Sequence, residues 1–118
     1  MDQGILLGEI EGRFADIIWE KAPISSSALV KIGAAEFNWK RTTTHNVIRR
    51  LTAKGLFSRD ENGIVSPMIS KEDFQALQSR RFVDIVFNGS LPMFVSGFVK
   101  NNTLSEDDVK QILTLLGK

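Results

Sequence analysis

At Lys54-Gly55 the spacing of apolar residues changes from a helical period to the alternation of a strand. Upstream, over residues 41–54, Thr44, Val47, Ile48 and Leu51 fall on one side of a helical wheel. Thr42, His45, Asn46, Arg49 and Ala53 fall on the other, with Arg50 near the boundary. Downstream, Leu56-Phe57-Ser58-Arg59 reads as a short strand and Asp60-Glu61-Asn62-Gly63 as a turn. Ile64-Val65-Ser66 is the return strand, stopped by Pro67. The Asn-Gly pair is a strong hairpin signal. A helix with one buried stripe and one polar stripe therefore runs, through a glycine stop, straight into a hairpin.

Two helical segments precede this unit. Ile10, Phe14, Ile17 and Ile18 have helical spacing within 9–20, and the segment ends before Ala22-Pro23. Ser25-Ser26-Ser27 supplies N-cap oxygens for a second helix carrying Ala28, Leu29 and Ile32, which Gly33 is expected to end or loosen. Trp19 and Trp39 are expected to pack in the core or at a hinge. Three helices and then a hairpin is the order of a winged helix-turn-helix. The rest reads as three short helices. The first opens at Ser70-Lys71-Glu72-Asp73, the second covers 91–99, and the last is capped by Ser105. The expected class is mostly α with a small β-hairpin, with a winged-helix domain at 1–70 and a helical region at 71–118.

Composition removes several functions. There are no cysteines and a single histidine, so disulfides, thiolate metal sites, a cysteine nucleophile and a multi-histidine metal site are all excluded within one chain. No glycine-rich phosphate loop or nucleophile elbow is present. The acidic cluster Glu106-Asp107-Asp108 sits where a helix N-terminus favours negative charge, so capping accounts for it. No catalytic residue, metal or cofactor is expected. No apolar run has the length of a membrane span, and the first residues are acidic where a secretory leader needs basic ones. The expected location is the cytoplasm, with no membrane contact.

The net charge of +1 says little, but its distribution says more. Residues 1–36 are acidic on balance. Residues 37–61 hold Lys40, Arg41, Arg49, Arg50, Lys54 and Arg59 against only Asp60 and Glu61. Such a cluster is the footprint of a polyanion-binding element, and also that of a solvated helix face. The polar stripe argues for double-stranded DNA. Arg49 suits guanine and Asn46 suits adenine, each through two hydrogen bonds, in a major groove whose base pairs present distinct patterns. Thr42 and Thr43 suit thymine methyls or phosphates. Lys40, Arg41, Arg50 and Lys54 suit phosphates, and Arg59 and Asn62 suit the flanking backbone. His45 completes the candidate face. For Arg50 a salt bridge to an acidic residue of the first helix is an equal alternative, and for His45 a partly exposed position without a specific role is favoured over base contact. The competing reading of the whole module is protein interaction without sequence-specific DNA binding.

The C-terminal helices leave Phe82, Ile85, Phe94, Phe98, Ile112, Leu113 and Leu116 in need of cover. A patch this apolar is unusual on a monomer. The expectation is a homodimer through these residues, and folding back on the N-terminal module is the alternative. With no Cys, one His and no evident ligand cleft, control is expected to act on the dimer, with its weak point in 91–102.

Three stretches carry a resemblance: IIWEKAPISSSAL at 17–29, TTTHNVIRRLTAKGLFSR at 42–59 and LSEDDVKQILTLL at 104–116. The chain resembles the BlaI/MecI/CopY family of bacterial repressors, which includes the penicillinase repressors, over nearly its whole length. The resemblance implies a winged helix on operator DNA, a dimerising C-terminal part and repression by blocking transcription. For the penicillinase branch it also implies a regulatory protease that cuts within the dimerisation part after a membrane sensor detects a β-lactam. Three departures stand out. The copper-responsive branch relies on C-terminal cysteine pairs, which are absent. The bond cut in penicillinase repressors joins an Asn to a Phe, and Gly97-Phe98 stands at the matching place. The aromatic-rich return strand of the wing is replaced by Ile64-Val65-Ser66-Pro67 in a chain without tyrosine.

Overall fold

The computed structural model describes residues 7–118. Asp2 of the acidic stretch lies outside the described residues. The elements are α1 (Glu9–Lys21), β1 (Ile24–Ser25), α2 (Ser26–Phe37), α3 (Arg41–Ala53), β2 (Phe57–Arg59), β3 (Ile64–Pro67), α4 (Lys71–Val86), α5 (Leu91–Lys100) and α6 (Glu106–Leu115). The chain divides into two compact units, one running to Arg81 and the other starting at Phe82, so the division falls inside α4.

The first unit is a winged helix. Phe14, Ala15 and Ile18 of α1, Leu29 of α2 and Val47, Ile48 and Leu51 of α3 are buried together with Leu56, Phe57, Val65 and Phe74. Helix α1 carries Glu9 and Glu11 in its first turn and Lys21 in its last, matching the charges of the helix ends. Ala22 is extended, as the residue before a proline prefers, and the helix stops there. Ser25 caps α2, its Oγ accepting the N–H of Ala28 at 3.1 Å.

Two features depart from the sequence reading. Helix α2 does not end at Gly33; it runs on to Phe37 and is closed by Asn38 in the left-handed conformation (φ 56°). Gly33 stays inside the helix because α3 packs against it. A Cβ there would overlap Thr44 Oγ1 and meet the ring of Trp39 at 3.3 Å. The close approach of the two helices uses the missing side chain and overrides glycine's weak helix propensity.

The hairpin also gains a third strand. Ile24 pairs with Val65 and Ser25 with Ile64, so the sheet order is β1-β3-β2. The Ser26 N–H donates to the Gly63 carbonyl at 2.7 Å and continues this seam to the hairpin tip. Within the loop, Asp60 Oδ1 accepts the N–H groups of Asn62 and Ile64, both at 2.9 Å, and Gly63 takes the positive φ of 77°. The side chain of Asp60 thus closes the turn.

The first turns of α4 belong to this unit. Ser70 Oγ caps the helix through Asp73 N–H at 3.0 Å, and the Phe74 ring lies 5.7 Å from that of Trp19. Trp19 Nε1 donates to the Ile69 carbonyl at 3.0 Å, so an indole packed in the core still satisfies its polar edge.

In the second unit, Phe82, Phe87, Phe94 and Phe98 form a chain of aromatic contacts with centroids 5.6 to 6.3 Å apart. Ser90 and Ser105 cap α5 and α6 by accepting the N–H groups of Met93 and Asp108. No residue of either helix is buried. No single helix among the described residues is long and apolar enough to cross a membrane.

Candidate nucleic-acid interface

Helix α3 is held from its inner side. Thr44, Val47, Ile48 and Leu51 are buried, as the wheel requires. Its end is a Schellman motif: Gly55 has φ 85°, its N–H donates to the Thr52 carbonyl at 3.0 Å, and the Leu56 N–H donates to the Leu51 carbonyl at 3.2 Å. Leu51 and Leu56, the apolar pair of that motif, are both buried. The helix therefore has a fixed length and a fixed rotation.

That rotation sets what faces out. Lys40, Arg41, Thr42, Thr43 and Arg49 are exposed, while His45 and Asn46 are half-buried between them. Arg49 donates from one terminal nitrogen to Asn46 Oδ1 at 2.8 Å. This bond uses Asn46 Oδ1 as an acceptor and leaves the donor N–H groups of the Asn46 amide and the rest of the Arg49 fork for other partners. Arg59 reaches across from β2 and donates to His45 Nδ1 at 3.2 Å. Arginine has no acceptor, so Nδ1 is the unprotonated ring nitrogen. The wing is thereby tied to α3 by a side-chain bond.

Arg50 and Lys54 lie elsewhere. Arg50 Nε donates to Glu11 Oε2 at 2.9 Å and Lys54 Nζ to Glu11 Oε1 at 3.2 Å. Of the two readings of Arg50, the structure forms the salt bridge to the first helix, and Lys54 joins it. Burial pushes the Glu11 carboxyl up, but the hydrogen bonds and charges of the two cations outweigh it and hold it below the usual carboxylate range. Lys40, Arg41, Arg49 and Arg59 have no carboxylate partner among the described residues. Reading the sequence did not single out Glu11. Its place between Ile10 and Phe14 on α1 was the available signal, but the partner lies 39 residues away.

His45 responds to this setting. Its pKa lies below the usual 6.5, from partial burial first and then from the charges of Arg59, Arg41 and Arg49. The unfolded chain therefore takes up the proton first, so the stability contributed by neutral His45 is present above pH of about 6.5 and is lost as the pH falls through it. It is the only histidine in the chain, so the neutral-to-acid range is largely its own. The urea midpoint should drop between pH of about 7.5 and 5.5, and His45→Gln should flatten that dependence. A wild-type midpoint that does not move would count against the Arg59 bond as a stabilising contact.

The seven residues expected at a dimer contact all lie in the second unit. Phe98, Leu116, Ile85, Leu113, Ile112 and Phe82 are exposed, the first two by 53% and 63%, and Phe94 is half-covered by its aromatic neighbours.

The family described as Penicillinase repressor matches residues 7–118. The chain is 24% identical over 115 residues to the methicillin resistance regulatory protein MecI of Staphylococcus aureus strain Mu50, covering 95% of this chain and 94% of that protein. It is 23% identical over 113 residues to the penicillinase repressor of Bacillus licheniformis, covering 93% and 88%. A MecI protein of Mammaliicoccus sciuri is 24% identical over the same 95% and 94%. With its winged helix and a family match over the whole described chain, the protein belongs to the penicillinase repressor family of transcriptional repressors.

Proposed function

We propose that the protein is a homodimeric, sequence-specific repressor that places α3 in the major groove of a near-palindromic operator. The observation that carries this reading is the outer stripe of α3, where Thr42, His45, Asn46 and Arg49 stand opposite a fully buried inner stripe. An interaction surface for another protein would more often present aromatic or aliphatic side chains. Lys40, Arg41 and Thr43 position the helix on phosphates, and Arg59 brings the wing to the flank. The wing tip itself carries Asp60 and Glu61, which phosphates repel. A two-fold dimer doubles the half-site, which gives the operator its symmetry. The regulatory partner in this reading is a protease acting in 91–102, since a cut there separates Phe94 from α6.

Arg49 is the residue on which base reading rests. Arg49→Ala should cost about 1–3 kcal/mol on the specific site and relax preference at one base pair. Selection of bound genomic fragments, followed by anisotropy titration of the selected site over a salt series, measures both. Unchanged operator affinity in Arg49→Ala would remove the residue from base readout. Binding that is indifferent to salt would argue against a DNA interface altogether.

A further inference from the structure

We infer that Glu11 acts as an internal stand-in for a phosphate, withholding Arg50 and Lys54 from DNA and so holding down the sequence-independent affinity of the recognition helix. The inference rests on the DNA-binding reading above and adds a residue to it that lies outside the recognition helix and the wing. A carboxylate offers cations the same kind of anionic oxygen pair that a phosphate does. Here each oxygen is used: Oε2 takes Arg50 Nε at 2.9 Å and Oε1 takes Lys54 Nζ at 3.2 Å. The Lys54 side chain is only 19% exposed, so its ammonium must leave Glu11 and emerge from partial cover before it reaches a phosphate. The Arg50 side chain is 55% exposed and is held through Nε, the nitrogen nearest its stem.

The consequence is an uneven distribution of working charge. Lys40 and Arg41 at the start of α3, Arg49 on its outer stripe and Arg59 on the wing have no carboxylate partner among the described residues. The two cations at the end of α3 share a single carboxylate within the chain, so their charge is offset in part. Phosphate contacts add affinity without regard to sequence, and each contributes about 0.9 to the slope of log affinity against log salt. A repressor must discriminate its operator from a vast excess of other sites, so the ratio of specific to non-specific affinity matters more than either alone. Two cations released towards phosphates would raise both by a similar factor, leaving the ratio unchanged and placing more of the protein on the excess of non-operator sites. Glu11 therefore holds down sequence-independent binding without touching a base.

The test is a salt series of anisotropy titrations of the full-length protein on a short random-sequence duplex. Glu11→Gln should bind this duplex about 10-fold tighter near 0.1 M salt, with the slope steeper by about 1 to 2 for each recognition helix engaged. Adding Arg50→Gln and Lys54→Gln to Glu11→Gln should return the slope to the wild-type value. Glu11→Asp keeps the charge but draws it back by one methylene, and should give a smaller gain of the same sign; it serves if Glu11→Gln does not fold. An affinity that is unchanged or lower in both Glu11 variants would overturn the inference, the lower value meaning that Glu11 aims Arg50 at the backbone. Wild-type protein that fails to bind duplex DNA at any salt would overturn the DNA reading itself, and this inference with it.

Discussion

Phe98→Asp combined with Ile112→Asp should convert the proposed dimer into a folded monomer. Both side chains are substantially exposed in the single chain, by 53% and 43%, so their replacements stay hydrated and the helices lose little. Between two copies the same carboxylates would be driven into an apolar contact, where an unpaired charge costs several kcal/mol. Light scattering at micromolar concentration should give half the wild-type mass, with an unchanged helical circular dichroism spectrum. Affinity for the two-half-site operator should fall by about 10²–10⁴-fold, since the second recognition helix no longer benefits from being tethered to the first. A double variant that remains dimeric would mean that the contact lies elsewhere on the chain.

The second large effect concerns the seam that presents α3. Phe14 is fully buried and meets the rings of Phe37 and Trp39 edge-on, at 6.1 and 5.1 Å, while those two stack at 4.7 Å. Phe37 ends α2 and Trp39 lies in the link to α3, so this triad anchors the turn of the helix-turn-helix. Phe14→Ala should cost about 3–5 kcal/mol, from lost transfer energy and the remaining cavity. A small domain is stable by only about 5–15 kcal/mol, so the variant should be close to unfolding at physiological temperature. Urea denaturation followed by tryptophan fluorescence checks this. A midpoint within error of the wild type would show that the triad closes over the gap.

Much of this architecture was legible before any coordinates. The stripe Thr44, Val47, Ile48 and Leu51 has the spacing of one helix face, and that face is buried. Ser25, Ser70 and Ser105 cap the helices they precede, because a serine oxygen ahead of an apolar run satisfies a free N–H wherever the chain then goes. What stayed hidden depends on distant partners. Two residues, Ile24 and Ser25, are too few for an alternating pattern, and only β3 makes them a strand. Gly33 carries a local signal to stop, which Thr44 overrules from the next helix. Among the candidates, Thr42, His45, Asn46 and Arg49 follow from one helical period, and Lys40 and Arg41 from the local cluster of charge. The bonds from Glu11 to Arg50 and Lys54, and from Arg59 to His45, join residues 14 to 43 positions apart, and no periodicity reports them.

The central strand of the sheet is β3, with β1 on its far side from β2. The hairpin tip is stitched through Gly63 to Ser26, the first residue of α2. The wing is thus mounted on the leading end of α2, while α3, the helix proposed to read the groove, follows the trailing end of the same rod. In the proposed complex, the distance along the duplex between the bases read and the flank gripped would depend on α2 as well as on the short link from α3 into β2. On that reading, altering α2 would change how many base pairs a half-site spans, although none of the proposed DNA contacts lies on that helix.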